Sequence, residues 1–257
     1  MNIEALADVV STVVLMGRPF QVSSEPLTLS DALDAQDALT PRLASPLGGL
    51  AGYKIAWNAP HLMKAMDMPH PGTGRVFSSQ VQRGDSQIAL SDFRGLFIEA
   101  EIVATLGRDI TPGQTYDAAS VAPYVASFSA GFEVLNKFGA PADAKSTDIL
   151  AHNVFNAGAV VANAAVPASG FDASSVTTRV YDGQTIVAEG SNMAPQDPFE
   201  AIAFLANFFT GRGYTMKAGE IILCGSHIPL YPVEAPTRLG ISMGGLGEVW
   251  LTVSGSE

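Results

Sequence analysis

The chain has 257 residues, 47% of them hydrophobic and 15% charged, with a formal net charge of −11. That balance suits a well-buried globular protein and excludes a disordered or low-complexity chain. The negative charge comes from scarce Lys and Arg rather than acidic runs, which argues against nucleic acid or an anionic membrane as a partner. The opening Met1-Asn2-Ile3-Glu4-Ala5-Leu6-Ala7-Asp8 carries acids where a signal peptide needs bases, and no apolar run approaches the ~18 residues that span a bilayer. Cys224 is the single cysteine and has no partner for an internal disulfide, so a cytoplasmic setting is expected.

In chain order, residues 1–45 read as helical, with Ser30 capping a helix that runs through Leu33 and Leu39 until Pro41 disturbs it. From Gly52 onward the pattern turns mostly to strands. Val176 to Ala188 reads as a hairpin with Asp182-Gly183 as its two-residue turn. One helix interrupts this β half. Asp197-Pro198-Phe199-Glu200 supplies a capping acid, Pro at the first helical position and Glu at the third, and Gly211 and Gly213 stop the helix. Short strands follow at Glu220-Ile221-Ile222-Leu223 and Glu248-Val249-Trp250-Leu251-Thr252-Val253. No parallel βα repetition is present, so a doubly wound fold is not expected. The expected fold is α+β: a mixed, strongly curved, barrel-like β core with peripheral helices, a helical N-terminal segment over 1–50 and the main domain over 51–257.

The segment with the most chemistry is Phe97-Ile98-Glu99-Ala100-Glu101-Ile102-Val103-Ala104-Thr105-Leu106. A strand repeats every second residue, so Glu99 and Glu101 leave one face while Ile98, Ala100, Ile102, Ala104 and Leu106 form an apolar face for the core. Two adjacent carboxylates over a buried sheet repel and resist ionising unless a cation sits between them, and a divalent metal with oxygen ligands suits that place. A strand whose second face lies in water is the other reading of the same pattern.

Other chemistries lack their patterns. Gly244-Gly245-Leu246-Gly247 has neither the dinucleotide nor the P-loop spacing and reads as a turn before a strand. Ser127-Phe128-Ser129-Ala130-Gly131 misses the first glycine of a nucleophile elbow. Cys224 follows an apolar run and reads as a buried structural thiol.

Taken together, Gly52-Tyr53-Lys54-Ile55-Ala56, Ile98-Glu99-Ala100-Glu101-Ile102, Phe132-Glu133-Val134, Lys217 to Ser226 and Gly245-Leu246-Gly247-Glu248-Val249 stand in a consistent order. In these runs the chain resembles the 2-keto-4-pentenoate hydratase and 4-oxalocrotonate decarboxylase family of the fumarylacetoacetate hydrolase superfamily. The resemblance implies that Glu99, Glu101 and Glu133 hold Mg²⁺ or Mn²⁺, leaving room for a water and a small anionic 2-oxo or 2-hydroxy acid. It implies that Lys54 binds the substrate carboxylate or relays protons, and that the protein is a homo-oligomer.

The departures from the family pattern are specific. Ala151-His152-Asn153-Val154-Phe155-Asn156 stands where Ala-Asp-Asn-Ala-Ser-Ser is usual, and Ala56-Trp57-Asn58 where Gly-Leu-Thr is usual. Cys224 replaces a serine, and His227 follows Gly225-Ser226 where an apolar residue is common. His152 is therefore the expected acid/base, because a histidine near neutrality both takes and returns a proton. Asn153 and Ser226 are expected to bind substrate. The implied reaction is hydration of a 2-hydroxy-2,4-dienoate. Vinylogous decarboxylation of a 2-oxo-enedioate, C–C hydrolysis of an acylpyruvate, and a catalytically inactive partner subunit are the alternatives.

Overall fold

The protein is described here by a computed structural model covering residues 2–255. Helix α1 (Ile3–Met16) is capped by the Asn2 side chain and ends at Gly17, whose φ of 57° lies in the left-handed region. Helix α2 (Leu29–Ala44) starts two residues before the expected Ser30 cap. Thr28 and Asp31 form a reciprocal capping box, which satisfies two free N–H groups where a single serine satisfies one. Pro41 does not end this helix, which continues to Ala44.

The strands and remaining helices follow as β1 (Leu50–Ala56), α3 (Pro60–Ala65), β2 (Gly72–Phe77), β3 (Val81–Arg83), β4 (Ser86–Ala89), β5 (Leu96–Leu106), α4 (Ala118–Val121), β6 (Val125–Asn136) and α5 (Ser146–Ala151). After these come β7 (Asn156–Val161), β8 (Val166–Pro167), β9 (Thr177–Asp182), β10 (Thr185–Ser191), α6 (Pro198–Gly211), β11 (Ile221–Ser226), β12 (Tyr231–Val233), β13 (Thr237–Met243) and β14 (Gly247–Ser254). Helix α6 is capped by Asp197 with Pro198 in its first turn, as the sequence predicts. The short helices α3, α4 and α5 were not predicted; they are too brief to show a helical period.

The larger sheet runs β2-β1-β11-β5-β6-β7-β3, with β12 also on β5 and β8 on β6; the smaller runs β10-β9-β13-β14-β4. Both are mixed. Neither closes into the expected barrel among the described residues, because β2 and β3 end the larger sheet without pairing with each other. The predicted β9–β10 hairpin is present, but its turn is shifted by one residue. Asp182 pairs with Thr185 inside the ladder, held there by Tyr231 Oη at 2.7 Å and by Thr237, so Gly183 and Gln184 make the turn.

Period-two alternation on β5 builds the core. Ile98, Ala100, Ile102, Ala104 and Leu106 are all buried with Phe132, Leu239, Ile241 and Val249, between the two sheets. Helix α6 adds Phe209, whose ring lies 4.3 Å from that of the buried Tyr53. The other face of β5 therefore looks away from this core, and it carries the glutamates.

Helix α2 is tied to the body through polar groups. Gln36 Nε2 donates to the carbonyls of Thr73 (2.7 Å) and Leu150 (2.9 Å), and its Oε1 accepts from Arg75 Nη1 at 2.9 Å. The Arg75 guanidinium, 1% exposed, lies between the rings of Phe209 and Tyr214 and pairs with Asp37, which also accepts from Arg212 Nε at 2.7 Å. Removing one partner of a buried ion pair strands the other charge. Asp37→Ala is expected to destabilise the fold by about 3 kcal/mol, measured as a lowered midpoint in urea unfolding.

Candidate metal centre

Strand pairing brings the three glutamates together. In the β5–β6 ladder Glu99 lies directly opposite Glu133, and Glu101 lies opposite Gly131. One carboxylate oxygen from each of Glu99, Glu101 and Glu133 lies within 4.8 Å of the others. Glu101 and Glu133 are 1% and 0% exposed, so water does not screen them. Glu101 Oε2 accepts the Gly225 N–H at 2.7 Å, and Glu133 Oε1 accepts Asn156 Nδ2 at 2.9 Å and pairs with Lys54 Nζ at 2.8 Å. Glu101 Oε1 and Glu133 Oε2 are buried with no hydrogen-bond partner.

Those two orphan oxygens test whether a cation fits. A buried carboxylate oxygen without a donor is costly, and here two of them face a third carboxylate. Adjacent ligands of an octahedral Mg²⁺ stand about 3 Å apart, so the three carboxylates, whose oxygens lie within 4.8 Å of one another, would draw together around the ion. Burial, then the charge of Glu133, pushes the Glu99 carboxyl up to about 7. The same causes, with Glu99 added, hold Glu101 well above the usual carboxylate range. The donor set is all oxygen and anionic, which suits a hard divalent ion such as Mg²⁺ or Mn²⁺.

Lys54 reaches Glu133 from β1, where it is 1% exposed. Its stem crosses Gly74 on β2, where a Cβ would stand 2.9 Å from Lys54 Cγ; glycine gives the lysine its path. Gly225 has φ 112°, and a Cβ there would meet the Asn58 amide at 2.6 Å. This glycine lets the backbone turn its N–H onto Glu101.

A cavity of about 410 Å³ opens at this cluster, lined by Lys54, Glu99, Lys137 and Ser226 among mostly apolar side chains. It exists because the edge of β5 is incompletely paired. Ser226 pairs with Glu101, the His227 N–H donates to the Ala100 carbonyl at 2.7 Å, and pairing resumes with Tyr231 on Ile98, so residues 228–230 bulge out opposite Glu99. Ile228 and Leu230 of that bulge line the cavity.

The opposite wall is a turn without glycine. Asn153, Val154 and Phe155 have φ of 55°, 48° and 61°, a left-handed run that costs about 1–2 kcal/mol per residue for L side chains. Asn153 holds it in place: its Oδ1 accepts the Arg75 N–H and its Nδ2 donates to the Arg75 carbonyl, both at 2.8 Å. The turn delivers Val154 and Phe155 to the cavity and Asn156 to Glu133.

Of the residues expected in the site, Glu99, Glu101, Glu133, Lys54 and Ser226 are thus brought to one place. Ser226 Oγ donates to the Ile228 carbonyl at 2.8 Å and so shapes the bulge. Asn153 spends its amide on the β2 backbone. His152 lies outside the cavity lining: it is buried, its Nδ1 bonds the Asp148 carbonyl at 2.8 Å, and its ring stacks 4.2 Å from Phe20. Burial pulls its pKa down to about 4, far from an acid's working range at neutrality. Cys224 is buried, as expected, and its burial pushes the thiol pKa up. Sequence reasoning missed Asn156, Lys137 and the Gly225 N–H. Asn156 stands inside the quoted 151–156 run, but only the turn reveals its direction.

No family model matches the chain. A 2-keto-4-pentenoate hydratase of Burkholderia vietnamiensis is 26% identical over 204 residues, covering 79% of this chain and 78% of the relative. One from Paraburkholderia phymatum is 28% identical over 202 residues, covering 78% and 76%. Among solved structures, 4-oxalocrotonate decarboxylase from Pseudomonas putida G7, complexed with magnesium and adipate, superposes with a TM-score of 0.90 at 19% identity, over 98% of this chain and 97% of that one. Fumarylpyruvate hydrolase from Pseudomonas aeruginosa, complexed with Mn²⁺ and pyruvate, gives 0.58 at 15% identity over 79% and 89%. The fold is therefore of the fumarylacetoacetate hydrolase type. Within that type, the chain is a relative of the 2-keto-4-pentenoate hydratases and has the fold of 4-oxalocrotonate decarboxylase, as its sequence motifs imply.

Because folding raises the Glu99 pKa, the metal-free fold binds more protons than the unfolded chain between about pH 4.5 and about 7. Its stability therefore falls as pH rises through that window. A divalent ion binds the deprotonated cluster, so its affinity climbs over the same window. Thermal unfolding followed from about pH 5 to 8, with chelator or with Mg²⁺, is expected to show a gain in Tm on adding metal that grows with pH.

Proposed function

We propose that the chain is a divalent-metal-dependent hydratase that adds water to a 2-hydroxy-2,4-dienoate, giving a 4-hydroxy-2-oxo acid. The observation that carries this reading is the convergence of Glu99, Glu101 and Glu133 beside Lys54, with Glu99 and Lys54 opening onto a mostly apolar cavity. The named activities of the relatives support it. The three glutamates would hold Mg²⁺ or Mn²⁺, which as a Lewis acid and template polarises the 2-oxygen and fixes the acid end of the substrate.

The chain's own groups do the rest. Lys54 is the proton carrier of this scheme, since its buried ammonium lies at the acid end, 2.8 Å from Glu133. The 2-hydroxyl loses its proton while the far carbon of the diene gains one, leaving a conjugated 2-oxo-3-enoate. Water then places its oxygen at the fourth carbon and a proton at the third. The apolar walls keep bulk water from competing for these protons. His152 acts in this reading through the wall, packing Phe20 behind the left-handed turn. A homo-oligomeric state and a cytoplasmic setting belong to the same reading; no described helix is long and apolar enough to cross a membrane.

Decarboxylation of a 2-oxo-enedioate is the second reading. It would use the same acid end, and the fold shared with 4-oxalocrotonate decarboxylase is the observation that favours it. Following ultraviolet loss of the dienoate against CO₂ release separates the two, with hydration giving the first without the second. Glu101→Gln is expected to abolish both Mg²⁺ binding in calorimetry and turnover. Lys54→Met is expected to lower kcat by about 10²–10⁴ while metal binding persists; normal kcat in that variant would remove Lys54 from proton transfer.

A further inference from the structure

The cavity is larger and more lopsided than a five-carbon acid needs. Its 410 Å³ lies in the range of about 300–1,000 Å³ that encloses drug-sized ligands. Every ionisable group of its lining gathers at the acid end. Lys54 pairs with Glu133, and Lys137 stands close enough to Glu99 to favour its carboxylate, with its Nζ 4.1 Å above the ring of Phe97. The two neutral polar groups of the lining are also engaged: Ser226 Oγ on the Ile228 carbonyl, and Asn58 Nδ2 on the Cys224 carbonyl at 3.3 Å. Away from that end the walls are Trp57, Leu62, Met66, Phe155, Ile228 and Leu230.

Two of these walls are held in conformations that L residues avoid. Trp57 has φ 54° and Phe155 φ 61°, and both rings face the same cavity. Phe155 is fixed by the Asn153 clamp on Arg75. Trp57 packs over Gly72, where a Cβ would stand 2.8 Å from Trp57 Cε3. Backbone strain persists where surrounding structure imposes it, and here the imposed feature is an aromatic lining.

We infer that the substrate is a monocarboxylate carrying an extended apolar substituent, alkyl or aryl, on the carbon chain distal to its 2-oxygen, and that Trp57, Leu62, Met66 and Phe155 select for it. This rests on the 2-oxo acid reading of the acid end. A second carboxylate at the distal end would be buried against these walls with no cation to pair it and only the Trp57 indole N–H among their side chains to donate to it, and burying an unpaired charge is costly. Burial of apolar substituents is graded by size: one methylene in a fitted apolar pocket changes specificity by about 10-fold or more.

The test is titration calorimetry on the Mg²⁺-loaded protein with pyruvate, 2-oxobutanoate, 2-oxohexanoate, 2-oxooctanoate, 4-phenyl-2-oxobutanoate and 2-oxoadipate, alongside turnover of dienoates with matching tails. The expected result is a Kd that falls about tenfold or more from pyruvate to 2-oxohexanoate, with 2-oxoadipate weaker than 2-oxohexanoate. Leu62→Trp, on the exposed side of α3, and separately Met66→Trp, are expected to erase the gain with chain length. Equal Kd along the series, or tighter binding of 2-oxoadipate that Lys137→Met removes, overturns the inference while leaving the acid-end reading intact. Graded binding without dienoate turnover supports the inference and rejects the hydratase reading. Failure of every 2-oxo acid to bind overturns both.

Discussion

The structure depends on an unfavourable interaction: three glutamates placed on one sheet face, two of them sealed from water. Left alone they repel, and burial with that repulsion makes the Glu99 and Glu101 carboxyls hold protons far more tightly than exposed ones. The Lys54–Glu133 pair and the Gly225 N–H offset part of this, but two carboxylate oxygens keep no donor. Only a rigid frame can maintain such a cluster. The β5–β6 ladder, eleven and twelve residues long in its two strands, supplies it, with the apolar face of β5 anchored in the main core. Stability is thus drawn from one face of the strand and charge concentrated on the other.

Access to the cluster comes from two local irregularities in an otherwise regular sheet. The bulge between β11 and β12 leaves β5 uncovered opposite Glu99, and the left-handed turn at 153–155 closes the far side with an aromatic ring. Ser226 and Asn153 serve those irregularities directly, through hydrogen bonds to the backbone. Both residues therefore act on the cavity's shape, beside the cluster formed by the glutamates and Lys54.

Much of this was legible in the chain, for identifiable reasons. Period-two alternation assigns Glu99 and Glu101 to one face whatever the tertiary fold, and the Asp197-Pro198 start of α6 is a purely local matter. Glu133 was a different case: no local rule places it opposite Glu99, and it entered through the resemblance of motif order. That the sheets stay open, against the barrel-like expectation, was not legible, since whether distant edges pair leaves no local pattern. Asp182 slipped from turn to ladder because Tyr231 and Thr237 hold it, contacts that lie about fifty residues away. His152 illustrates the hardest limit. It neighbours a left-handed turn, so adjacency in sequence to Asn153 and Asn156 says nothing about which of them faces the cavity.

The turn at 153–155 also constrains how this protein can change. Its geometry is imposed from outside, by an amide locked onto the Arg75 backbone, and it carries the Phe155 ring and the Glu133 partner Asn156 on consecutive residues. Lengthening or shortening it would displace Asn156 as surely as Phe155. Evolution of new preferences in this lineage is thereby restricted to exchanging side chains at fixed backbone positions, a stepwise repertoire with no smooth path between neighbouring pocket shapes.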